Sequence, residues 1–367
     1  HFDMNQTRFF YACKALTNIH ILQVVKNAGC PIDCSSINEV KLALHVGFEP
    51  KNILYTSNSV SFDEICEAVA LGININIDSL SNLEKFGAKF GNTYAVGVRI
   101  RPNIMAGGNL KISTGHDKSK FGIPLTQLQE LKAIQEKFQL NITTLHIHTG
   151  SEIKEVSVFL QSAEVFDSIL GEFPSVQVLD FGGGFKVPYA PNEKGTDIAL
   201  LGSEVDKVMK KMSEKFGRPL TAWFEPGKYL VSEAGYFITQ VNVLKEQGEI
   251  TFAGINTGLN HLIRPMFYDA YHHIDNISHR DQPTKNYAVV GNICETDTFA
   301  WDRPIPTISE GDFLVFYNAG AYGYEMSSNY NARYKPAQVL FEKEEAKLIS
   351  RSDTFADLLN LQIPLKP

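Results

Sequence analysis

"VQVLDFGGG", residues 176–184, is a short apolar run with a carboxylate near its end, followed by three glycines. Runs of this length, rich in Val and Leu, suit a buried strand. The triplet reads either as a plain strand-to-helix turn or as a loop whose backbone N–H groups can approach an anion closely. Its neighbours decide between these. Comparable runs stand before it at "RFFYACKA" (8–15), "PIDCSS" (31–36), "NILYTS" (52–57), "ININID" (73–78), "YAVGVRIRP" (94–102) and "TTLHIHTG" (143–150), and one stands after it at "TAWFEPG" (221–227). Between most of them lie stretches with helical spacing, such as "SINEVKLALHVG" and "SFDEICEAVALG". Strands alternating with helices predict a parallel sheet, and eight such strands predict a closed barrel.

Beyond about residue 233 the texture changes. "YFITQVNVLKEQGEITFAGINTG", "NYAVVGNICE" and "GDFLVFYNAGAYG" read as strands and turns without regular helices between them. "LNHLIRPMFYDAYHHI" reads as a loop with one helical turn. The predicted fold class is α/β: a TIM-like (β/α)8 barrel over residues 1–234 and a mostly β domain over 235–367.

Composition narrows the class. The 367 residues are 44% hydrophobic and 20% charged, the mix of a globular protein. Net charge is -7 with no long basic block, which argues against a nucleic-acid partner. No apolar run is long enough for a membrane span, and no secretory signal pattern is visible, so no membrane role is expected. Cys13, Cys30, Cys34, Cys66 and Cys294 lack zinc-site or disulfide-scaffold spacing. No metal site is expected, and the reading is a reducing cytoplasm.

In such a barrel, active sites form at the C-terminal ends of the strands. Lys14 ends the first strand, His148 the sixth, Gly182, Gly183 and Gly184 the seventh, and Glu225 the eighth. A lysine closing an apolar run either snorkels to the surface or serves as a partly desolvated amine that attacks a carbonyl. The loops after strands 7 and 8 commonly hold phosphate in these barrels. Glu225 in "FEPG" is either a helix cap or a carboxylate that keeps a pyridine nitrogen protonated. His148 is either a core histidine or a flat face on which a ring can stack. An amine, an anion cradle, a carboxylate and an aromatic face together describe a pocket for pyridoxal 5′-phosphate (PLP).

With "YACKA", "DCSSINE" (33–39), "STGHDKSKFG" (113–122), "HIHTGS" (146–151), "DFGGGF" (180–185), "EPG" (225–227), "LIRPMFYDAYH" (262–272), "CE" (294–295) and "GAYGYEMSSNYN" (320–331), nearly the whole chain resembles the fold-type III PLP-dependent decarboxylases. The resemblance implies roles. Lys14 would bond covalently to the cofactor, His148 would stack on its ring, and Asp33 would line its site. Ser151, Gly184, Gly227 and Tyr322 would hold the phosphate with Gly182 and Gly183. Glu225 would pair with the pyridinium nitrogen. Cys294 would return a proton to the carbanion left by CO2. Cys294 and Glu295 would cross a two-fold interface into the other subunit's site, so a homodimer with shared sites is implied. Members usually carry a few dozen residues ahead of the lysine strand, including a β segment, and these are expected to be absent here.

The far end of the pocket sets the substrate, a small amino acid. Arg264 and Tyr268 resemble the family's pair that grips a distal carboxylate, for which an arginine fork is well suited. Glu295 resembles the residue holding a distal ammonium, while Lys228 and Tyr322 also face the substrate. One anionic and one cationic handle describe meso-2,6-diaminopimelate, with L-lysine and CO2 as products. Four features depart from the family pattern: EPGR is EPGK here, at Lys228; Asn256 replaces a usual aspartate; GPxCE is GNICE; and the loop at Thr296 and Asp297 is one residue shorter. Lysine is a point charge, not a bidentate fork. The rival substrate is carboxynorspermidine or another diamine precursor, which would leave Arg264 without a distal carboxylate. An alanine racemase prefers arginine at the position of Glu225. A non-catalytic homologue would have no use for both Lys14 and Cys294.

Overall fold

A computed structural model describes residues 1–3, 6–106, 114–116 and 119–365. Ser113, Asp117 and Lys118 of the "STGHDKSKFG" motif lie outside the described residues. The chain divides into two compact units, His1–Pro188 with Glu193–Leu230, and Tyr189–Asn192 with Val231–Pro367.

The first unit is a ring of parallel strands. They are β1 (Thr7–Phe9), β2 (Tyr11–Ala12), β3 (Ile32–Cys34), β4 (Ile53–Thr56), β5 (Asn74–Ile77), β6 (Val96–Arg101) with the short β7 (Ile123–Pro124) beside it, β8 (Ile142–His146), β9 (Val178–Asp180) and β10 (Thr221–Phe224). Their order is β1-β10-β9-β8-β6-β5-β4-β3-β2. Strands covered on both faces read as continuous apolar runs, and β6 is buried along nearly its whole length. This is why all eight expected strands are legible. The helices between them start where the sequence says they should: Ser36, Ser61, Ser79 and Asp197 each accept a backbone N–H in the first turn of their helix.

One expectation is corrected. "RFFYACKA" is not one strand. It breaks at Phe10, so that β1 pairs with β10 (Thr7↔Ala222) and β2 pairs with β3 (Tyr11↔Ile32). The Phe10 N–H donates to the Phe224 carbonyl at 2.8 Å, bridging the break. Closing a staggered barrel asks its first strand to meet the last strand with one half and the second strand with the other. Lys14 consequently lies on a 3-10 turn, Cys13–Ala15, just past β2.

The second unit is a six-stranded sheet. Its strands are β11 (Phe237–Gln247), β12 (Ile250–Ile255), β13 (Ile274–Asn276), β14 (Thr284–Val290), β15 (Thr298–Pro306) and β16 (Phe313–Phe316), in the order β13-β16-β11-β12-β14-β15. Val241, Ile255, Tyr287, Val289, Leu314 and Phe316 form its core. The helical turn expected in "LNHLIRPMFYDAYHHI" is Arg264–Tyr268. A separate hairpin, β17 (Gln338–Glu342) with β18 (Glu345–Ser350), and a short helix, Phe355–Leu359, follow.

Candidate active site

Strand ends of the first unit bring Lys14, Asp33, His148, the glycine triplet and Glu225 to one end of the barrel. Lys14 is exposed between buried Cys13 and Ala15, so its side chain leaves the core. The glycines seam the loops together. A Cβ on Gly183 would stand 2.2 Å from the Glu225 carbonyl oxygen, and one on Gly184 would stand 2.0 Å from the Gly150 carbonyl oxygen. A Cβ on Gly227 would stand 2.9 Å from the Ala12 carbonyl oxygen. Gly182 and Gly184 have φ of 65° and 96°, where glycine is favoured. Four loops therefore meet backbone to backbone, and Ser151 follows directly on one of them.

His148 is held in one orientation. Its Nδ1 accepts the Gly183 N–H at 3.2 Å, which leaves the proton on Nε2 in the neutral ring. Burial, with Arg99 and Lys14 nearby, pushes its pKa well down.

Beneath lies a buried polar floor. Glu225 accepts from the Thr56 hydroxyl at 3.3 Å, and Asn76 supports Thr56 from behind at 3.0 Å. His146 Nε2 stands 3.4 Å from Glu225 Oε2. Burial pushes the carboxyls of Asp33 and Asp180 well up, and the Glu225 charge adds to it. Burial would raise Glu225 too, yet the His146 ring and the Lys14 ammonium hold it below the usual carboxylate range. Burial and their mutual repulsion thus favour the neutral form of Asp33 and Asp180, while its neighbours favour the charged form of Glu225. The ligand atoms of His146, Asp180 and Glu225 lie within 4.8 Å of one another. Arg99 Nη2, Asp33 Oδ1 and Asp180 Oδ2 are buried without a hydrogen-bond partner. A floor that favours the ionised form of Glu225 suits a cationic ring atom.

Thr56, Asn76, Arg99, His146 and Asp180 escaped sequence reading as site residues. They sit within strand-length apolar runs; the available signals were a polar side chain inside such a run and, for His146 and Asp180, their place at the start of "HIHTGS" and "DFGGGF".

Lys228, read from the sequence as facing the substrate, is buried and ion-paired with Glu152. Glu152 also meets Lys186 at 3.5 Å. Glu152 itself adopts φ of 61°, a left-handed conformation that costs a non-glycine residue energy.

The remaining expected residues belong to the second unit. Arg264 is buried, with its guanidinium 5.1 Å from the Tyr189 ring and 5.9 Å from the Tyr268 ring, and its Nε has no partner. Cys294 and Glu295 lie together on an exposed turn. Tyr322 adopts φ of 56°. Asn256 holds the sheet, accepting from the Gln240 N–H at 3.1 Å.

The amine of Lys14, the backbone cradle of Gly182–Gly184, the oriented ring of His148 and the buried carboxylate of Glu225 fit pyridoxal phosphate. The comparisons agree. The description "Pyridoxal-dependent decarboxylase, pyridoxal binding domain" matches residues 1–232, and "Pyridoxal-dependent decarboxylase, C-terminal sheet domain" matches residues 228–320. The diaminopimelate decarboxylase of Methanothermobacter thermautotrophicus is 38% identical, over 98% of this chain and 86% of the relative. That of Escherichia coli strain K12 is 31% identical, over 96% of this chain and 88% of the relative. The crystal structure of diaminopimelate decarboxylase from Helicobacter pylori complexed with L-lysine superposes with a TM-score of 0.88 at 30% identity, covering 97% of this chain and 90% of that one. With these whole-chain matches added to the barrel-mouth geometry, the chain belongs to the fold-type III pyridoxal-phosphate-dependent decarboxylases.

Proposed function

We propose that this protein decarboxylates meso-2,6-diaminopimelate to L-lysine and CO2. The observation that carries this reading is the buried carboxylate of Glu225, 3.4 Å from His146, below a mouth that holds Lys14 and the glycine cradle. Relatives named for that reaction, one of them solved with L-lysine, support the substrate. Bound PLP supplies the electron sink for the carbanion formed as CO2 leaves.

The chain's own residues do the rest. Lys14 would hold the cofactor covalently. Glu225 keeps a proton on the ring nitrogen by its charge, since opposite charges favour one another's ionised forms. The His148 ring supplies a stacking face, and Asp33 lines the site as a carboxyl whose pKa burial pushes up. Gly182, Gly183, Gly184, Ser151, Gly227 and Tyr322 hold the phosphate. Arg264 and Tyr268 grip the distal carboxylate, Glu295 the distal ammonium, and Cys294 returns a proton to Cα. Lys228 acts with its charge partly neutralised by Glu152, which leaves Arg264 as the principal cation for the substrate. The working form is a cytoplasmic homodimer in which Cys294 and Glu295 complete the site of the partner subunit.

The test is CO2 release by the PLP-loaded protein from meso-diaminopimelate, beside carboxynorspermidine, ornithine and arginine. Release with lysine formed from diaminopimelate alone is expected; release only from another of these would discard the substrate. Arg264→Ala should weaken substrate capture by about 2–4 kcal/mol, seen in KM. An unchanged KM would remove Arg264 from the clamp.

A further inference from the structure

Cys294 does not hold its geometry alone. Asn331 grips it at two points: Oδ1 accepts the Cys294 backbone N–H at 2.9 Å, and Nδ2 donates to Sγ at 3.1 Å. The Tyr330 hydroxyl lies 3.4 Å from the same sulfur and donates to Oε1 of Glu295 at 2.7 Å. Asn331 achieves its grip at φ of 58°, a conformation asparagine tolerates better than most residues.

The segment carrying both residues is anchored elsewhere. The Ser328 N–H donates to the Asn260 carbonyl at 2.7 Å, and Asn329 Nδ2 donates to Asp353 at 2.6 Å. Arg333 reaches the Asn292 carbonyl at 3.0 Å, on the turn that leads into Cys294. The holder is therefore set by contacts that do not depend on the thiol. Exposed hydrogen bonds of this kind add little to stability, so their order around a thiol calls for another explanation.

The direction of the bonds supplies one. Tyrosine has a single hydroxyl proton, and it points at Glu295. Its oxygen can accept the S–H of Cys294, and once the sulfur is a thiolate the hydroxyl turns to donate to it. An unbroken path runs from thiol through phenol to carboxylate.

We propose that Tyr330 is a proton relay that recharges Cys294 from Glu295, with Asn331 as the residue that aims the thiol. The inference rests on the decarboxylation proposed above. When Cys294 gives its proton to the substrate carbon, an S–H bond breaks, a C–H bond forms and a thiolate remains. The Tyr330 proton then passes to sulfur. Glu295, protonated from bulk water once product leaves, returns a proton to the Tyr330 oxygen. One solvent proton is taken up for each CO2 released, which balances replacement of a carboxylate by hydrogen.

The groups facing the sulfur are Tyr330, Asn331 and Glu295. Tyr330 and Asn331 lower the thiol pKa, and the Glu295 charge opposes them. Cys294 and Glu295 in turn raise the Tyr330 pKa, so the phenol keeps its proton at neutral pH.

The test uses the PLP-loaded full-length protein and its Tyr330→Phe and Asn331→Ala variants. Iodoacetamide labelling of Cys294, read at the peptide by mass spectrometry across neutral to alkaline pH, needs no turnover. Both variants should shift the labelling profile to higher pH, slowing labelling near neutrality by about tenfold. Tyr330→Phe should also lower kcat about tenfold at unchanged KM, with partial rescue by rising concentrations of a small buffer acid. An unshifted profile in both variants, or a wild-type kcat in Tyr330→Phe, would overturn the relay. Labelling is independent of substrate, so a wrong substrate assignment shows separately, as absent CO2 release from diaminopimelate while the profile still moves.

Discussion

The Nε2 atom of His146 stands 3.4 Å from Oε2 of Glu225, with both side chains sealed from solvent. Asp180 shares their floor, accepting the Gly182 N–H at 2.9 Å. Among these carboxyls the pKa of Glu225 is pushed down while that of Asp180 is pushed up, which favours the negative charge at Glu225.

Removing that charge without changing the shape isolates its contribution. Glu225→Gln should bind PLP yet lose about 100-fold in kcat, roughly 3 kcal/mol of transition-state stabilisation. Steady-state kinetics and the visible absorbance of the cofactor check it. A variant with full kcat would mean that ring protonation does not depend on Glu225.

Asp33 behaves in the opposite sense. Its folded pKa is raised, chiefly by burial and then by the Glu225 charge. The stability it contributes is fully present below its unfolded pKa, about 3.9, and is lost as pH rises through the folded value. Asp33→Asn is neutral at every pH. Thermal melts of the cofactor-free protein should show its advantage over wild type growing from acid to neutral pH. A constant difference across pH would refute a raised pKa.

Gly184→Ala should damage the cradle more than the fold. The added methyl meets the Gly150 carbonyl at 2.0 Å and the backbone sits at φ of 96°. The loops after β8 and β9 must part, and we expect PLP affinity to fall at least about tenfold. Equilibrium dialysis of PLP, beside a far-UV spectrum, separates lost binding from lost structure.

The Glu152–Lys228 pair invites a double-mutant cycle. Glu152→Gln leaves Lys228 buried with a weaker partner and should cost about 2 kcal/mol in denaturant unfolding. Adding Lys228→Met removes the stranded charge and should recover more than half of that loss. Additive losses would show that the two side chains do not interact.

Much of this was readable in the sequence because parallel strands covered on both faces announce themselves as apolar runs. All eight barrel strands, the helical turn at Arg264–Tyr268 and the change of texture past residue 233 were legible for that reason. The break at Phe10 was not, because Phe10 is as apolar as its neighbours and only the closure of the ring demands it. Arg99 hid inside a run that reads as core, while His146 and Asp180 open quoted motifs whose glycines and His148 drew the functional reading. The β17–β18 hairpin and the Phe355–Leu359 helix escaped notice because much of their apolar surface, Phe341, Leu348 and Phe355 among it, is exposed, so no inside–outside alternation marks them. Tyr330 and Asn331 lay in a quoted motif, but their grip on Cys294 depends on a turn that sequence spacing does not encode.

The split first strand also sets a timetable. Thr7 pairs with Ala222, so the suture of the ring joins residues far apart along the polypeptide. At about 5–20 residues per second on the ribosome, those early residues wait roughly 10–40 s for their partner to be synthesised. Until then β1 has an open edge, and the turn bearing Lys14 lacks the β10 loop that packs against it through Gly227. Capture of the cofactor is therefore a late event in the birth of this protein, and the nascent barrel spends that interval as an unsealed sheet exposed to mispairing.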